Sequence, residues 1–260
     1  MNFVANELRH VETLLRENKV TYRKVSSDLR LIGKYYLSQY DKQTSIELMV
    51  DFMNRVSDNG EKWRKTITSI VNDLIGKEDF ELRDIEEIHI TKNELDIIKS
   101  LDSELEQKYT FGLIVYCKIW NYKKKGKFVR IESTTHFAKD CDVNLNRENR
   151  EKLFNRLKNK ELINIPRKTG SDSVEVLCVD YEGEVGLIIP ITHIEKFIYY
   201  FYQWSGKHKV KECTECGKLI LIKGNAPTKY CIVCKKEKEQ RNRRLRDKKY
   251  RENQKNKNDA

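Results

Sequence analysis

The stretch Lys211–Lys236 reads KECTECGKLILIKGNAPTKYCIVCKK and contains two pairs of cysteines among many lysines. Two residues separate Cys213 from Cys216 and Cys231 from Cys234, and 14 residues lie between the pairs. A Cys-x-x-Cys turn can present two thiolates to one ion, and structural Zn²⁺ takes four tetrahedral ligands. The spacing therefore predicts one Zn²⁺ site with these four cysteines as its ligands.

The predicted metal site dominates the folding of the module around it, residues 207–236. Few large apolar side chains occur there, so metal binding, on the order of 10 kcal/mol, would have to supply the folding energy. The segment LILIKGNAPTKY predicts two short strands around a Gly-Asn turn, and hence a zinc ribbon. Four protein ligands leave no open position for water or substrate, so the expected role is structural. A redox-active cysteine pair is the alternative, and the chain lacks the thioredoxin-like βαβ pattern that it needs.

Positive charge is concentrated in the last fifth of the chain. The protein has 260 residues and a net charge of +11, and residues 207–260 contain 18 Lys and Arg against 7 Asp and Glu. That segment holds the whole excess, so residues 1–206 are neutral. A basic segment is typical of proteins that bind a polyanion, and we expect a nucleic-acid partner, most simply double-stranded DNA.

Residues 237–260 form the predicted basic tail. Its only large apolar residues are Leu245 and Tyr250, so we expect a solvated helix, frayed when free, that lies along phosphates. A solubility tail is the alternative. The basic residues expected to contact nucleic acid here and at the end of the module are Lys235, Lys236, Arg241, Arg243, Arg244, Arg246, Lys248 and Lys249.

Residues 1–84 are predicted to form a helical domain of about four helices, because apolar residues recur at spacings of three and four. Its charges are balanced, and no cluster of His, Cys or acidic residues suggests a catalytic site. We expect a scaffold, a dimerisation unit or a partner-binding unit. The sequence leaves the oligomeric state open.

Residues 85–185 predict a winged helix-turn-helix domain, since the elements follow in the order helix, strand, helix, helix, hairpin. One predicted helix, NRENREKLFNRLKNKEL, places Leu153, Phe154 and Leu157 on one face. The opposite face and the hairpin turn supply side chains that can contact bases or phosphates. These candidate nucleic-acid contacts are Arg147, Lys152, Asn155, Arg156, Asn159 and Lys168. A solvated helix face or a protein-binding surface is the alternative.

Residues 186–206 predict an aromatic linker helix that begins at Pro190 and contains the run PITHIEKFIYYFYQW. Consecutive aromatic residues on a helix point in all directions. We therefore expect them to pack between neighbouring domains rather than to form a stacking platform for bases. The fold class predicted for the whole chain is mainly α (α+β).

No segment is long and apolar enough to span a membrane, and no export signal is present, so we expect a cytoplasmic protein without a membrane partner. Disulfides are rare in that compartment. Cys117, Cys141 and Cys178 occur singly among apolar residues and are predicted to be buried apolar side chains.

The layout resembles a group of phage and mobile-element proteins of Gram-positive bacteria. In these a segment like LFNRLKNKELINI precedes a ribbon like ECTECGKLILIK to KYCIVCKK and then a basic tail. The likeness extends over about residues 85–245 and rests on this order and on the two cysteine pairs. It implies a DNA-related role by association only, with no activity to carry over.

Enzyme functions are not expected. The chain has no phosphate-binding loop, no GxGxxG and no HExxH motif, and its five histidines are scattered. The expected function is that of a DNA-binding regulator or replication accessory factor. The alternative is a protein that inhibits a host nucleic-acid enzyme, for example an anti-defence factor, with the basic tail on that enzyme's nucleic acid or in its binding channel.

Overall fold

A computed structural model describes residues 4, 6–21, 25–57, 59–77, 80–131, 133–165, 173–222 and 228–258, with side chains up to Lys248. Within these residues the protein is mainly helical with small antiparallel sheets, as the sequence predicts. Among the described helices, none has the length and apolar character needed to cross a membrane.

The N-terminal part consists of helices that enclose their own apolar core. In order they are α1 (Glu7–Glu17), α2 (Val25–Leu37), α3 (Lys42–Val56), a 3-10 turn (Gly60–Trp63) and α4 (Arg64–Gly76). The fully buried side chains at their centre include Leu29, Met49, Phe52 and Ile67. The predicted set of about four helices is therefore present.

A second, larger core is built on α6, which is apolar on nearly all sides. The elements after α4 are β1 (Glu87–Thr91), α5 (Lys92–Lys99), α6 (Glu104–Trp120), β2 (Phe128–Arg130), α7 (Thr134–Asp140), α8 (Arg147–Asn159), β3 (Ile163–Asn164), β4 (Ser173–Val176), β5 (Val185–Pro190), a 3-10 turn (Ile191–Lys196), α9 (Ile198–Ser205), β6 (Val210–Glu212), β7 (Leu219–Leu221) and α10 (Ile232–Asn258). Tyr109, Phe111 and Ile114 of α6 are fully buried.

Strands β2, β4 and β3 form one antiparallel sheet in that order. Val129 lies opposite Val174, and Ile163 lies opposite Val176, with all four side chains buried. The sheet joins the core to which α8 contributes its apolar face. The predicted hairpin turn, including Lys168, lies outside the described residues.

The segment predicted as a linker helix, 186–206, begins instead with a strand. In β5 Ile189 lies opposite Ile88 of β1, and a 3-10 turn then leads to α9, which starts at Ile198 rather than at Pro190. Phe201 is fully buried, with its ring 5.6 Å from that of Phe111. The aromatic residues thus pack into the same core as α6, and the predicted boundary after residue 185 falls within β5.

Candidate metal centre and basic helices

The two cysteine pairs meet in space, as their spacing predicts. The sulfurs of Cys213, Cys216, Cys231 and Cys234 all lie within 4.8 Å of one another. The Sγ atoms of Cys216 and Cys231 are 3.8 Å apart. Thiolates about 2.3 Å from a tetrahedral ion stand about 3.8 Å from each other, so this donor set fits a structural Zn²⁺.

The first pair lies in the turn between β6 and β7. Val210 is opposite Leu221, and Glu212 is opposite Leu219. The backbone N–H of Gly217 donates to the carbonyl oxygen of Cys213 at 2.9 Å, and Gly217 has φ +70°. Because this left-handed conformation is unfavourable for residues with a Cβ, glycine is needed at this position.

The second pair lies at the start of α10. The backbone N–H of Cys231 donates to Cys213 Sγ at 3.3 Å, and that of Cys234 donates to Cys231 Sγ at 3.4 Å. The amino terminus of a helix carries partial positive charge, which favours thiolates. Both the backbone donors and the helix therefore favour the metal-binding form of the cysteines.

Of the two strands predicted within LILIKGNAPTKY, the described residues contain one, β7. β7 pairs with β6, which precedes the first cysteine pair, and the second pair opens a helix rather than closing a second strand. The residues after the second pair, KKEKEQ, are good helix formers, and this explains the helix. The predicted Gly224–Asn225 turn lies outside the described residues.

The thiols have divergent proton affinities. Burial alone would raise the pKa of Cys213, but the backbone N–H groups of Cys231, Cys216 and Glu215 outweigh burial and lower this pKa to about 6. The pKa of Cys234 is raised because hydrogen bonds to the sulfurs of Cys216 and Cys231 favour its protonated form. Four thiolates this close repel one another, so full ionisation requires a cation among them.

The cysteine module is packed on the larger core. Leu219 is only 7% exposed and belongs to that core, with Val210 and Leu221 packed beside it. The ammonium of Lys207 donates to Oε1 of Gln107 on α6 at 2.7 Å. Strands β6 and β7 also contact α9, so the module lies against α9 and the amino-terminal half of α6.

Helix α10 continues directly from the cysteine cluster. It has 27 residues and is therefore about 40 Å long. Every described side chain from Glu239 to Lys248 is exposed, and Leu245 is 54% exposed. Lys235 and Lys236 are exposed in the first turn, whereas Lys238 is held by Tyr230.

The arginines of α10 have no acidic partner within the described part of the chain. No carboxylate described there lies at ion-pair distance from Arg241, Arg243, Arg244 or Arg246. The side chain of Lys249 lies outside the described residues. The exposed arginines are therefore available to an anionic partner.

Helix α8 also has a basic outer face, but three of its cations are paired with carboxylates. Leu153, Phe154 and Leu157 are buried as predicted. Arg147 lies 2.8 Å from Glu151, and Lys152 lies 2.6 Å from Glu148. Both ion pairs are exposed and join neighbouring turns of the helix. Arg156 lies 3.4 Å from the buried carboxylate of Glu106. Asn155 and Asn159 are exposed.

Four polar residues of α8 meet at a shallow depression of about 440 Å³, which Leu105 and Leu145 also line; they are Asn149, Lys152, Asn155 and Arg156. The sequence pattern does not single out the nearby Glu106, which is also 2.9 Å from Lys160. Its only signal in the sequence is its place in the polar first turn of α6, which also contains Glu104. Arg156 thus stabilises the fold as well as facing solvent.

The three single cysteines lie in or beside the larger core. Cys117 and Cys141 are buried, and Cys178 is partly buried. Burial raises the pKa of Cys117 to about 11 and that of Cys178 to about 12, and it also raises that of Cys141. These thiols are protonated at neutral pH, in line with the predicted apolar role.

Comparison with known proteins yields no further assignment. No protein-family model, curated protein or solved structure matches the chain. The function therefore has to be argued from the residues described above.

Proposed function

We propose that the protein binds nucleic acid through α10, whose amino-terminal end is held by a structural Zn²⁺. In this proposal it serves as a DNA-binding regulator or replication accessory factor of a phage or mobile element. One observation carries the proposal: the four-cysteine cluster continues without a break into a long, exposed helix rich in unpaired arginines.

Each part of this arrangement has a defined physical role. When bound, Zn²⁺ would cross-link Cys213 and Cys216 in the β6–β7 turn to Cys231 and Cys234 at the start of α10. Leu219 anchors the same turn to the core. The arginines of α10 then displace counterions from phosphates, and this supplies affinity without sequence preference.

We further propose that α6, β2, α7, α8, β3 and β4 form a winged helix. The order of these elements and the sheet order β2-β4-β3 support this interpretation. In that case α8 would be the helix that enters a groove. Its exposed Asn155 and Asn159 would contact base edges there, since amides pair well with adenine.

The ion pairs of α8 favour a second candidate for that helix. Arg147, Lys152 and Arg156 each have a carboxylate partner, whereas the exposed Lys158 has none among the described residues, so the outer face is less positive than its sequence suggests. A mixed-charge face of this kind suits a protein partner. The second candidate is therefore an inhibitor of a host nucleic-acid enzyme, with α8 on the enzyme and α10 on its nucleic acid or in its binding channel.

Two measurements on the purified protein test the main proposal. The zinc content should be about one per chain, because four cysteines close one site. Binding to random duplex DNA should weaken steeply with salt, and deleting residues 237–260 should reduce the slope by several units, at about 0.9 per phosphate contact. An unchanged slope after truncation would refute the role of α10.

A third measurement separates the two candidates for α8. Selection from random DNA should yield a preferred site, and changing Asn155 and Asn159 to Ala should remove that preference while leaving salt-sensitive binding intact. Arg156 is less suitable because it also neutralises the buried Glu106. If no site is selected and the same double change abolishes capture of a host enzyme, α8 is a protein-binding face.

A further inference from the structure

The arginines of α10 are distributed around the whole helix. At about 100° per residue, Arg243 and Arg246 point to one side and Arg241 and Arg244 to the other, with the two pairs about 160° apart. All four side chains are exposed. The helix therefore presents cations in opposite directions over the same two turns.

We propose that α10 lies inside the major groove of B-form DNA, with phosphates of both strands on its two sides. This inference rests on the proposed nucleic-acid binding and specifies the partner and the geometry. The groove is about 12 Å wide and admits an α-helix. A helix in the groove has a row of phosphates along each flank, so cations on both flanks find partners.

Other positions for the helix would leave half of these cations unused. A helix that runs along a single phosphate strand, or across an acidic protein surface, needs positive charge on one face only. A helix lying in a membrane surface needs an apolar face. Leu245 is the only large apolar residue among the described side chains from Lys235 to Lys248, so α10 has no such face.

The acidic residues of α10 are consistent with a groove contact that begins two turns beyond the metal centre. Glu237 and Glu239 precede Arg241, and Asp247 is the only acidic residue between Arg241 and Lys248. The cysteine module therefore lies outside the groove. The four arginines from Arg241 to Arg246 form the region of α10 that contacts DNA.

The same geometry discriminates DNA from double-stranded RNA. The major groove of A-form RNA is deep and narrow, so a helix cannot enter it. A helix that only follows phosphates would bind both duplexes with similar affinity. Preference for the B-form duplex is thus a direct consequence of the proposed position.

The test uses the full-length, zinc-loaded protein and two matched double variants. One variant is Arg243→Gln with Arg246→Gln, and the other is Arg241→Gln with Arg244→Gln. Both remove the same charge, and glutamine has nearly the helix propensity of arginine. Zinc content and circular dichroism should match the parent protein. Fluorescence anisotropy is measured over a range of salt with a DNA duplex and an RNA duplex of equivalent sequence.

We expect each double variant to reduce the salt slope on DNA by about two units, because each removes two phosphate contacts. We also expect the parent protein to bind DNA at least about tenfold more tightly than RNA. If only one variant reduces the slope, or if both duplexes bind equally, α10 is not in the groove. If the parent protein binds neither duplex, the proposed function itself fails.

Discussion

Helices α8 and α10 are both rich in basic residues, but they differ in burial and in the partners of their cations. In α8 one face is buried in the larger core, and three cations of the other face lie beside Glu151, Glu148 and Glu106. In α10 no described side chain beyond Lys238 is buried, and its four described arginines have no acidic partner in the described residues. One helix is held by apolar packing, and the other begins at the four-cysteine cluster.

The difference shows that the number of cations on a helix does not measure the charge available to a partner. Arg156 is half exposed, yet it neutralises a carboxylate that is almost fully buried. Arg244 is of the same residue type and has no such task. Binding to phosphate is therefore expected to depend much more strongly on α10 than on α8.

Metal removal should give the largest difference in hydrogen-exchange protection between α8 and α10. The double variant Cys213→Ser with Cys231→Ser should lose its zinc and, with it, binding energy on the order of 10 kcal/mol. The backbone amides of α10 should then exchange rapidly with solvent. Helix α8 should keep its protection, because Leu153 and Leu157 are buried in a core that does not include the cysteine cluster. Hydrogen exchange and metal analysis measure both effects.

Cys178→Ser serves as the control for this experiment, since that cysteine lies outside the cluster. It should retain about one zinc per chain. Full zinc content in the double variant would exclude the four-cysteine site. Loss of protection in α8 as well would mean that the core depends on the metal.

A matched pair of leucine substitutions should give the next largest difference. Leu157 of α8 is fully buried, whereas Leu245 of α10 is 54% exposed. Leu157→Ala should reduce the free energy of unfolding by about 2–5 kcal/mol, through lost burial and the cavity left behind. Leu245→Ala should change it by less than about 0.5 kcal/mol. Urea unfolding followed by tryptophan fluorescence measures both, and equal costs would show that α10 packs in solution.

Much of this contrast follows from local sequence. The apolar spacing of Leu153, Phe154 and Leu157 correctly predicts the buried face of α8, and the cysteine spacing correctly predicts the cluster. Both patterns are short, and their physical consequence does not depend on distant residues. The scarcity of apolar residues likewise predicts an exposed basic segment after Lys236.

The errors come from pairings between distant residues. Strand β5 pairs with β1 about 100 residues earlier, and no local signal distinguishes its apolar run from the start of a helix at Pro190. The partner of β7 was also not predicted, because β7 pairs backwards with β6 across the first cysteine pair. The ion pair between Glu106 and Arg156 joins two helices, and each residue alone resembles an ordinary surface charge.

The smallest expected effect is on the salt dependence of DNA binding when two positive charges are removed from α8. Removing two from α10 gives the matched comparison. Arg147→Gln with Lys152→Gln on α8 should change the salt slope of DNA binding by less than about one unit, because both cations already have carboxylate partners. Arg241→Gln with Arg244→Gln on α10 should reduce it by about two units.

Neither pair should alter the unfolding free energy by more than about 0.5 kcal/mol, since all four side chains are exposed. Anisotropy titrations at several salt concentrations provide the slopes. If the α8 pair has the larger effect, its carboxylates release the cations when DNA binds, and α8 rather than α10 is the main phosphate-binding helix.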